Sequence, residues 1–327
     1  MKQIILSIVL FNVLIINTLN SQTVAKSNFF TPSDTFNKKR LNGLMTAGTI
    51  GYTTSFVLLY KVWYANEKLT AFHFFDDNGE WLLADKIGHS LTAYNESKWA
   101  YEAFRWAGVK NKKAVWAGMA VGTLYQTTFE MMDGLSEGWG FSLGDVIANS
   151  GGCALFGIQQ AAWEDQRIVM KVGNFPKKYD KTPVQVYNDV TKSFETTSVY
   201  KLARSSRLYG ENYTQSFFKD YNAINWWLSV NPKSFAKNSK FPAWLNIAVG
   251  YSAENVFGAY YNIPPTNTEA YPRHRQYLLS LDIDLSRIKT KSRFLNTVLK
   301  AFNFVKIPAP ALEYNSLGKF KFHPLIF

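Results

Sequence analysis

Asp85-Lys86-Ile87-Gly88-His89 sets a carboxylate and an imidazole four residues apart, on one face of a helix. Such a pair can transfer a proton near neutral pH, with His89 as acid or base and Asp85 orienting its ring. Glu130 and Asp133 stand three apart near the end of a later helical stretch, and Asp145 opens the next one. These three carboxylates form an oxygen donor set for a divalent metal, to which His89 would add a nitrogen. Lys86, Ser142 and Asn149 complete the polar group, Asn149 lying one turn beyond Asp145. Plain structural readings exist for each part. Ser142 with Asp145 is a capping box, Asp85 with His89 is a salt-bridged helix pair, and Glu130 with Asp133 is a solvated helix end. Zinc sites usually carry more His or Cys than one histidine. No serine or cysteine nucleophile stands beside His89 in a recognisable motif, and Cys153 lies in an apolar stretch.

Positioning these groups requires helices that lie side by side. Pattern and composition predict them at about Trp81–Trp106, Lys112–Met132 and Ser142–Trp163. An earlier stretch, Leu41–Tyr60, has no charged residue and is long enough to span a bilayer, but Gly and Thr make it only weakly apolar. Thr31-Pro32-Ser33-Asp34 signals a helix start there or shortly after, and Asp76-Asp77-Asn78-Gly79 signals a turn. Small residues recur four apart at Ala114/Gly118/Gly122, Ala148/Gly152 and Gly157/Ala161, which lets helix backbones approach closely. Ionisable groups on such uncharged helices are costly unless paired, so the polar group is a functional candidate.

The compartment is read from the N-terminus. Lys2, the apolar run Ile4–Ile16 and the polar exit to Ser21 match a secretory signal peptide over residues 1–21. One cysteine in 327 residues excludes a disulfide framework and a Cys-cluster zinc site, and no cysteine follows the apolar run to carry a lipid anchor. The net charge of +12 calls for an anionic neighbour; with export, that neighbour is a membrane lipid surface or an envelope polymer or protein, and not nucleic acid.

Past Glu164 the composition changes. A basic, Pro-containing linker is followed by strand-like runs at Ile224–Val230, Leu245–Tyr251, Gln276–Leu285 and Phe320–His323. From Tyr277 to Leu285 the odd positions are apolar, the pattern of a half-buried strand whose apolar side meets the core. The terminal Phe327 on an alternating strand is similar to the end of an outer-membrane barrel, but about four visible strands fall short of the eight a barrel needs. A small sheet packed on the helices is therefore expected. Ser286–Val305 predicts an amphipathic helix ringed by Arg287, Lys289, Lys291, Arg293 and Lys300, which suits either a membrane interface or a core-facing stripe.

The set Asp85-Lys86-x-x-His89, Glu130-x-x-Asp133-Gly134 and Gly140-Phe141-Ser142-x-x-Asp145-x-x-Ala148-Asn149-x-x-Gly152 resembles the YfiM-like family of predicted periplasmic lipoproteins. More loosely, its spacing is similar to that of VanZ-like membrane proteins. The resemblance covers about residues 80–160, implies a small helical envelope module and brings no reaction with it.

The expected fold is α+β, mainly α. A compact four-helix bundle (31–167) and a linker (168–190) precede short antiparallel strands with a basic amphipathic helix (191–327). The expected function is a membrane-associated envelope protein, structural or partner-binding, in which the polar cluster fixes packing. The alternative is a metal-assisted or acid–base enzyme on an anionic envelope substrate, a phospholipid or cell-wall precursor.

Overall fold

The computed structural model describes residues 29–65, 67–175, 177–179, 183–188, 193–200, 208–210, 213–262 and 272–327. The expected signal peptide lies outside them. Helix α1 (Lys38–Leu59) is capped by Asn37, whose side chain accepts from Arg40 N, and it runs into a π-helical turn at Tyr60–Tyr64. Three long helices follow: α2 (Ala84–Trp106), α3 (Asn111–Asp133) and α4 (Leu143–Trp163). Among the described residues, no helix is long and apolar enough to cross a membrane.

The small residues act as their spacing suggests. A Cβ on Gly152 would stand 2.1 Å from the carbonyl oxygen of Ser90, and one on Gly118 would stand 2.5 Å from that of Ser97. The backbones of α4 and α3 thus touch α2 directly at these points. These three helices form the packed group. The expected fourth member, α1, buries no residue and rests on α3 through Tyr52 and Phe56 against Tyr125. Its Gly- and Thr-rich faces offer too little apolar surface to enter the core.

The α+β class holds, but the β part is larger than expected. Strands β1 (Ile168–Asn174), β4 (Ile224–Val230), β5 (Leu245–Glu254), β6 (His274–Ile283), β7 (Ala309–Asn315) and β8 (Phe320–Ile326) form one antiparallel sheet in the order β1-β4-β5-β6-β7-β8. A separate hairpin joins β2 (Pro183–Asn188) to β3 (Ser193–Tyr200). Residues 168–174, expected within the linker, are strand β1: Ile168, Val169, Met170 and Val172 are apolar and pair fully with β4. Helices α5 (Tyr213–Lys219) and α6 (Pro232–Phe235) are short. Helix α7 (Arg293–Ala301) is shorter than the expected 286–305, because Ser292 caps it after a 3-10 turn at Leu285–Arg287.

One part of the sheet packs on the helices. Leu91, Tyr94 and Phe156 meet Met170, Ile224, Trp226 and Ala253 in a buried cluster, each large side chain contributing about 1.5–3 kcal/mol. Elsewhere the sheet curls on itself. Lys171 of β1 reaches Asp282 of β6 at 2.7 Å although β4 and β5 lie between them in the sheet. Val172 also pairs with Phe304 and Lys306, both at 2.8 Å, and the carbonyl oxygen of Phe327 accepts from Asn225 and Trp227.

Curling reverses the expected facing of the strands. The enclosed side carries Lys171, Ser229, Asn246, Asp282 and Glu313, all buried, beside a small apolar cluster of Trp227, Ala248, Leu278 and Ala311, and Lys306 from the loop before β7 is buried as well. The apolar alternates Ile247, Val249, Leu279, Leu281, Leu312 and Phe322 are exposed. The enclosed groups satisfy one another, as buried polar groups must. Ser229 donates to Asp282 (2.6 Å), Asn246 to Ser229 (2.9 Å) and Gln276 to Glu313 (2.9 Å), and His323 pairs with Glu313 at 2.6 Å.

Candidate functional site

The polar residues singled out in the sequence meet at one end of the three-helix group. His89 on α2 lies 3.6 Å from Glu130 of α3 through Nδ1, and 3.6 Å from Asp145 of α4 through Nε2. Its Nε2 is 3.8 Å from Asp85 one turn earlier, and Nδ1 is 3.3 Å from Asn149 Oδ1. Lys86 sits among three carboxylates, at 2.6 Å from Asp77, 2.8 Å from Asp145 and 3.4 Å from Asp85. Ser142 caps α4 by accepting from Asp145 N, and it also donates to Asp77 (2.6 Å), while its own N–H donates to Glu130. The capping reading and the cluster reading of Ser142 are therefore both realised. Asp85, His89 and Asp145 each present a ligand atom, all within 4.8 Å of one another.

Asp133 is placed differently from the rest of the expected metal set. Its carboxylate accepts a 2.5 Å hydrogen bond from Tyr64, in the π-helical turn after α1. Two contributors went unread in the sequence. Asp77 was legible only as part of a turn, and the turn delivers it to Lys86. Tyr221, far along the chain, donates to Asp85 Oδ1 at 2.7 Å; only its place in Asp220-Tyr221-Asn222 could have drawn notice.

The loop that brings Asp77 in is strained. Trp81, Leu82 and Leu83 run consecutively at φ 48°, 57° and 69° just before α2, a left-handed conformation that costs roughly 1–2 kcal/mol per residue. The surrounding structure holds it: Trp81 N donates to Ala259 O at 2.9 Å, its ring packs on Tyr221, and Tyr251 OH donates to Leu82 O. A cleft lined by Thr123, Thr127, Glu130, Val146, Asn149 and Ser150 opens beside the cluster.

Burial and charge act in opposite directions here. Burial disfavours charge on His89, yet Asp85, Asp145 and Glu130 outweigh it and hold the imidazole at about 8. Burial raises Glu130 to about 8 against the pull of His89, Asp133 to about 7 and Asp145 to about 6. Burial opposes charge on Asp77 too, but the hydrogen bonds from Lys86 and Ser142 keep its carboxyl below the ordinary range. At neutral pH the protonated imidazole is an acid held against carboxylates.

These shifts fix a pH dependence. The raised carboxyls and the raised imidazole bind more protons folded than unfolded, so their stabilisation is complete below the unfolded values and is lost as pH climbs through about 6 to 8. The expected result is a higher Tm at pH 6 than at pH 9 in chelator-containing buffer, read by thermal scanning, with a shallower slope for Glu130→Gln. Because buried Lys306 and Lys98, both lowered by burial, act in the opposite direction at the alkaline end, the deciding readout is the difference between the two slopes, and equal slopes for wild type and Glu130→Gln would contradict this electrostatic account.

No curated protein and no solved structure matches the chain. The stretch that holds the Asp-Lys-x-x-His, Glu-x-x-Asp and Asp-x-x-x-Asn spacings does find a family: residues 73–160 match the model described as predicted periplasmic lipoprotein (DUF2279), in agreement with the exported, periplasmic placement expected from the N-terminus.

Proposed function

We propose that this chain is a membrane-seated protein of the cell envelope. The outward side of its curled sheet enters one lipid leaflet, and the helical part with its polar cluster stands clear of the lipid to meet an envelope partner. The observation that carries this reading is the outward face of the strands: Ile247, Val249, Leu279, Leu281, Leu312 and Phe322 stay exposed, while the enclosed side holds the polar alternates together with a small cluster of Trp227, Ala248, Leu278 and Ala311. In water that arrangement leaves a contiguous apolar band uncovered, whereas against acyl chains it is the favoured one.

The registers support the same reading. Tyr251, Tyr277, Tyr314 and Phe320 lie opposite one another on four successive strands, like the aromatic row that marks a lipid–water boundary. Val249, Leu279, Leu312 and Phe322 form the next row. Four residues separate Tyr251 from Ile247, a height of roughly 14 Å, against about 25 Å for the band of a spanning barrel. Insertion into a single leaflet fits that height. Helix α7 adds a basic, sharply amphipathic segment whose Phe294, Leu295 and nearby Phe302 stay exposed instead of packing on the core, as an interfacial helix requires.

The test is flotation of the purified mature chain with vesicles of phosphatidylethanolamine and phosphatidylglycerol. The expected result is co-flotation that persists in about 0.5 M salt, where the screening length has fallen to roughly 4 Å, together with retention in the membrane fraction of cells. Recovery in the soluble fraction after a salt wash would refute membrane seating. Recovery with one protein partner in the absence of lipid would assign the apolar face to that partner instead. A second reading, acid–base or metal-assisted chemistry on an anionic envelope substrate, is favoured by the cleft beside His89 and Glu130.

A further inference from the structure

We infer that the end of the helical part where α1 and α3 begin is a docking surface for the phosphate headgroups of anionic phospholipids. This rests on the membrane-seated reading and adds to it the class of lipid and the residues that select it. Backbone contacts bring the elements together. Asn37 N donates to Ala107 O at 2.9 Å and Ser33 N to Trp106 O at 3.2 Å, so the start of α1 lies on the turn between α2 and α3. A Cβ on Gly108, at φ 79° in that turn, would stand 2.1 Å from the carbonyl oxygen of Thr35. Phe29 meets Trp106 and Phe30 meets Phe294, both edge to face, which joins the start of α7 to the same end.

The charge gathered there is largely of one sign. Lys38 and Lys39 in the first turn of α1, and Lys110, Lys112 and Lys113 around the start of α3, are all exposed, as are Arg293 and Lys300 of α7. Neither first turn holds an acidic residue, and α3 has no side-chain cap. A helix start presents free N–H groups and the positive end of the macrodipole, so lysines placed there oppose both the dipole and one another. Folding gains nothing from this crowding; an anion supplied from outside relieves it. Of the carboxylates at this end, Asp34 is exposed, Glu102 is half-buried and Glu164 accepts from Asn111 at 2.9 Å.

Exposed rings beside the cations identify the anion as lipid. Phe29 is 66% exposed, Phe294 60%, and Trp116, one turn beyond Lys112 on α3, 64%. A soluble polyanion would engage the lysines and leave these rings in water, whereas a lipid surface accepts both, with the rings at headgroup level. The opposite ends of the same helices carry Asp85, Glu130, Asp133 and Asp145. Along α3, Lys112 and Asp133 are roughly 30 Å apart, so a surface that attracts one end repels the other. Docking therefore orients the chain, with the His89 cluster held away from the lipid.

The experiment floats the full mature chain with vesicles of phosphatidylcholine alone, and with about one third phosphatidylglycerol, in about 0.1 M salt, where screening extends to about 10 Å. The wild type should partition at least 100-fold more strongly onto the anionic vesicles. The triple variant Lys110→Gln/Lys112→Gln/Lys113→Gln should lose roughly 100-fold on those vesicles, at about fivefold per lysine, and nothing on phosphatidylcholine. A second triple, Lys61→Gln/Lys68→Gln/Lys178→Gln, removes the same charge from exposed lysines elsewhere and should keep the preference. Equal partition of the wild type onto both vesicles, or equal loss in the two triples, overturns the headgroup surface. Affinity for soluble inorganic polyphosphate equal to that for the anionic vesicles overturns lipid as its occupant. Flotation with phosphatidylcholine reports the apolar band alone: its absence, with anionic binding intact, sinks membrane seating and spares the headgroup surface.

Discussion

Leu279→Arg combined with Leu312→Arg should release the chain from membranes while leaving it folded. The two side chains are opposite one another on β6 and β7, and are 50% and 56% exposed. In water neither packs in a core, so the folded state should change by no more than about 0.5 kcal/mol per site. Against lipid each substitution removes the transfer of an apolar side chain and adds a charge. At about 2 kcal/mol or more per site the pair costs roughly 4 kcal/mol, about a thousandfold in vesicle partitioning. Circular dichroism of the variant should match the wild type, and flotation should be lost. A double variant that floats like the wild type would move the lipid contact elsewhere. Lys171→Ala, on the enclosed side, is no substitute for this test because it disturbs the fold.

Asp282→Ala should produce the largest loss of stability. Lys171 and Asp282 are both fully buried, 2.7 Å apart. Asp282 also accepts from Ser229 and from Ile307 N, at 2.6 and 3.2 Å. Removing it leaves an enclosed ammonium that, among the described residues, keeps the carbonyl oxygen of Ile283 as its acceptor, at 2.7 Å. Breaking a buried pair from one side costs about 3–5 kcal/mol, a large part of a domain's total stability. Denaturant unfolding in detergent measures it. The double variant Lys171→Met/Asp282→Leu removes both charges and should recover most of the loss. Equal losses in the single and double variants would show that the pair is not what holds the curl.

The resting place of α7 bears on the same physics. Its apolar residues are partnered at the periphery, as where Phe30 meets Phe294 edge to face, and not by the core. Sequence periodicity identified the two sides of this helix and left open what each would meet.

The sequence by itself determined the three long helices and which of their polar residues share a face. Spacing of three and four residues along a helix fixes which side chains share a face, so Asp85 with His89, and Asp145 with Asn149, were settled locally. Close-packing glycines were equally legible, because only the absence of a Cβ allows the approach seen at Gly152. Tertiary structure alone decided which carboxylates surround His89. Asp133 went to Tyr64, while Asp77 came from a strained loop and Tyr221 from the turn before β4. It also decided which side of the sheet faces inward. Alternation along β6 separates Leu279 and Leu281 from Ser280 and Asp282 but is symmetric between the two sides. The choice rests on curvature, and curvature rests on contacts between strands far apart in the chain, such as Lys171 with Asp282.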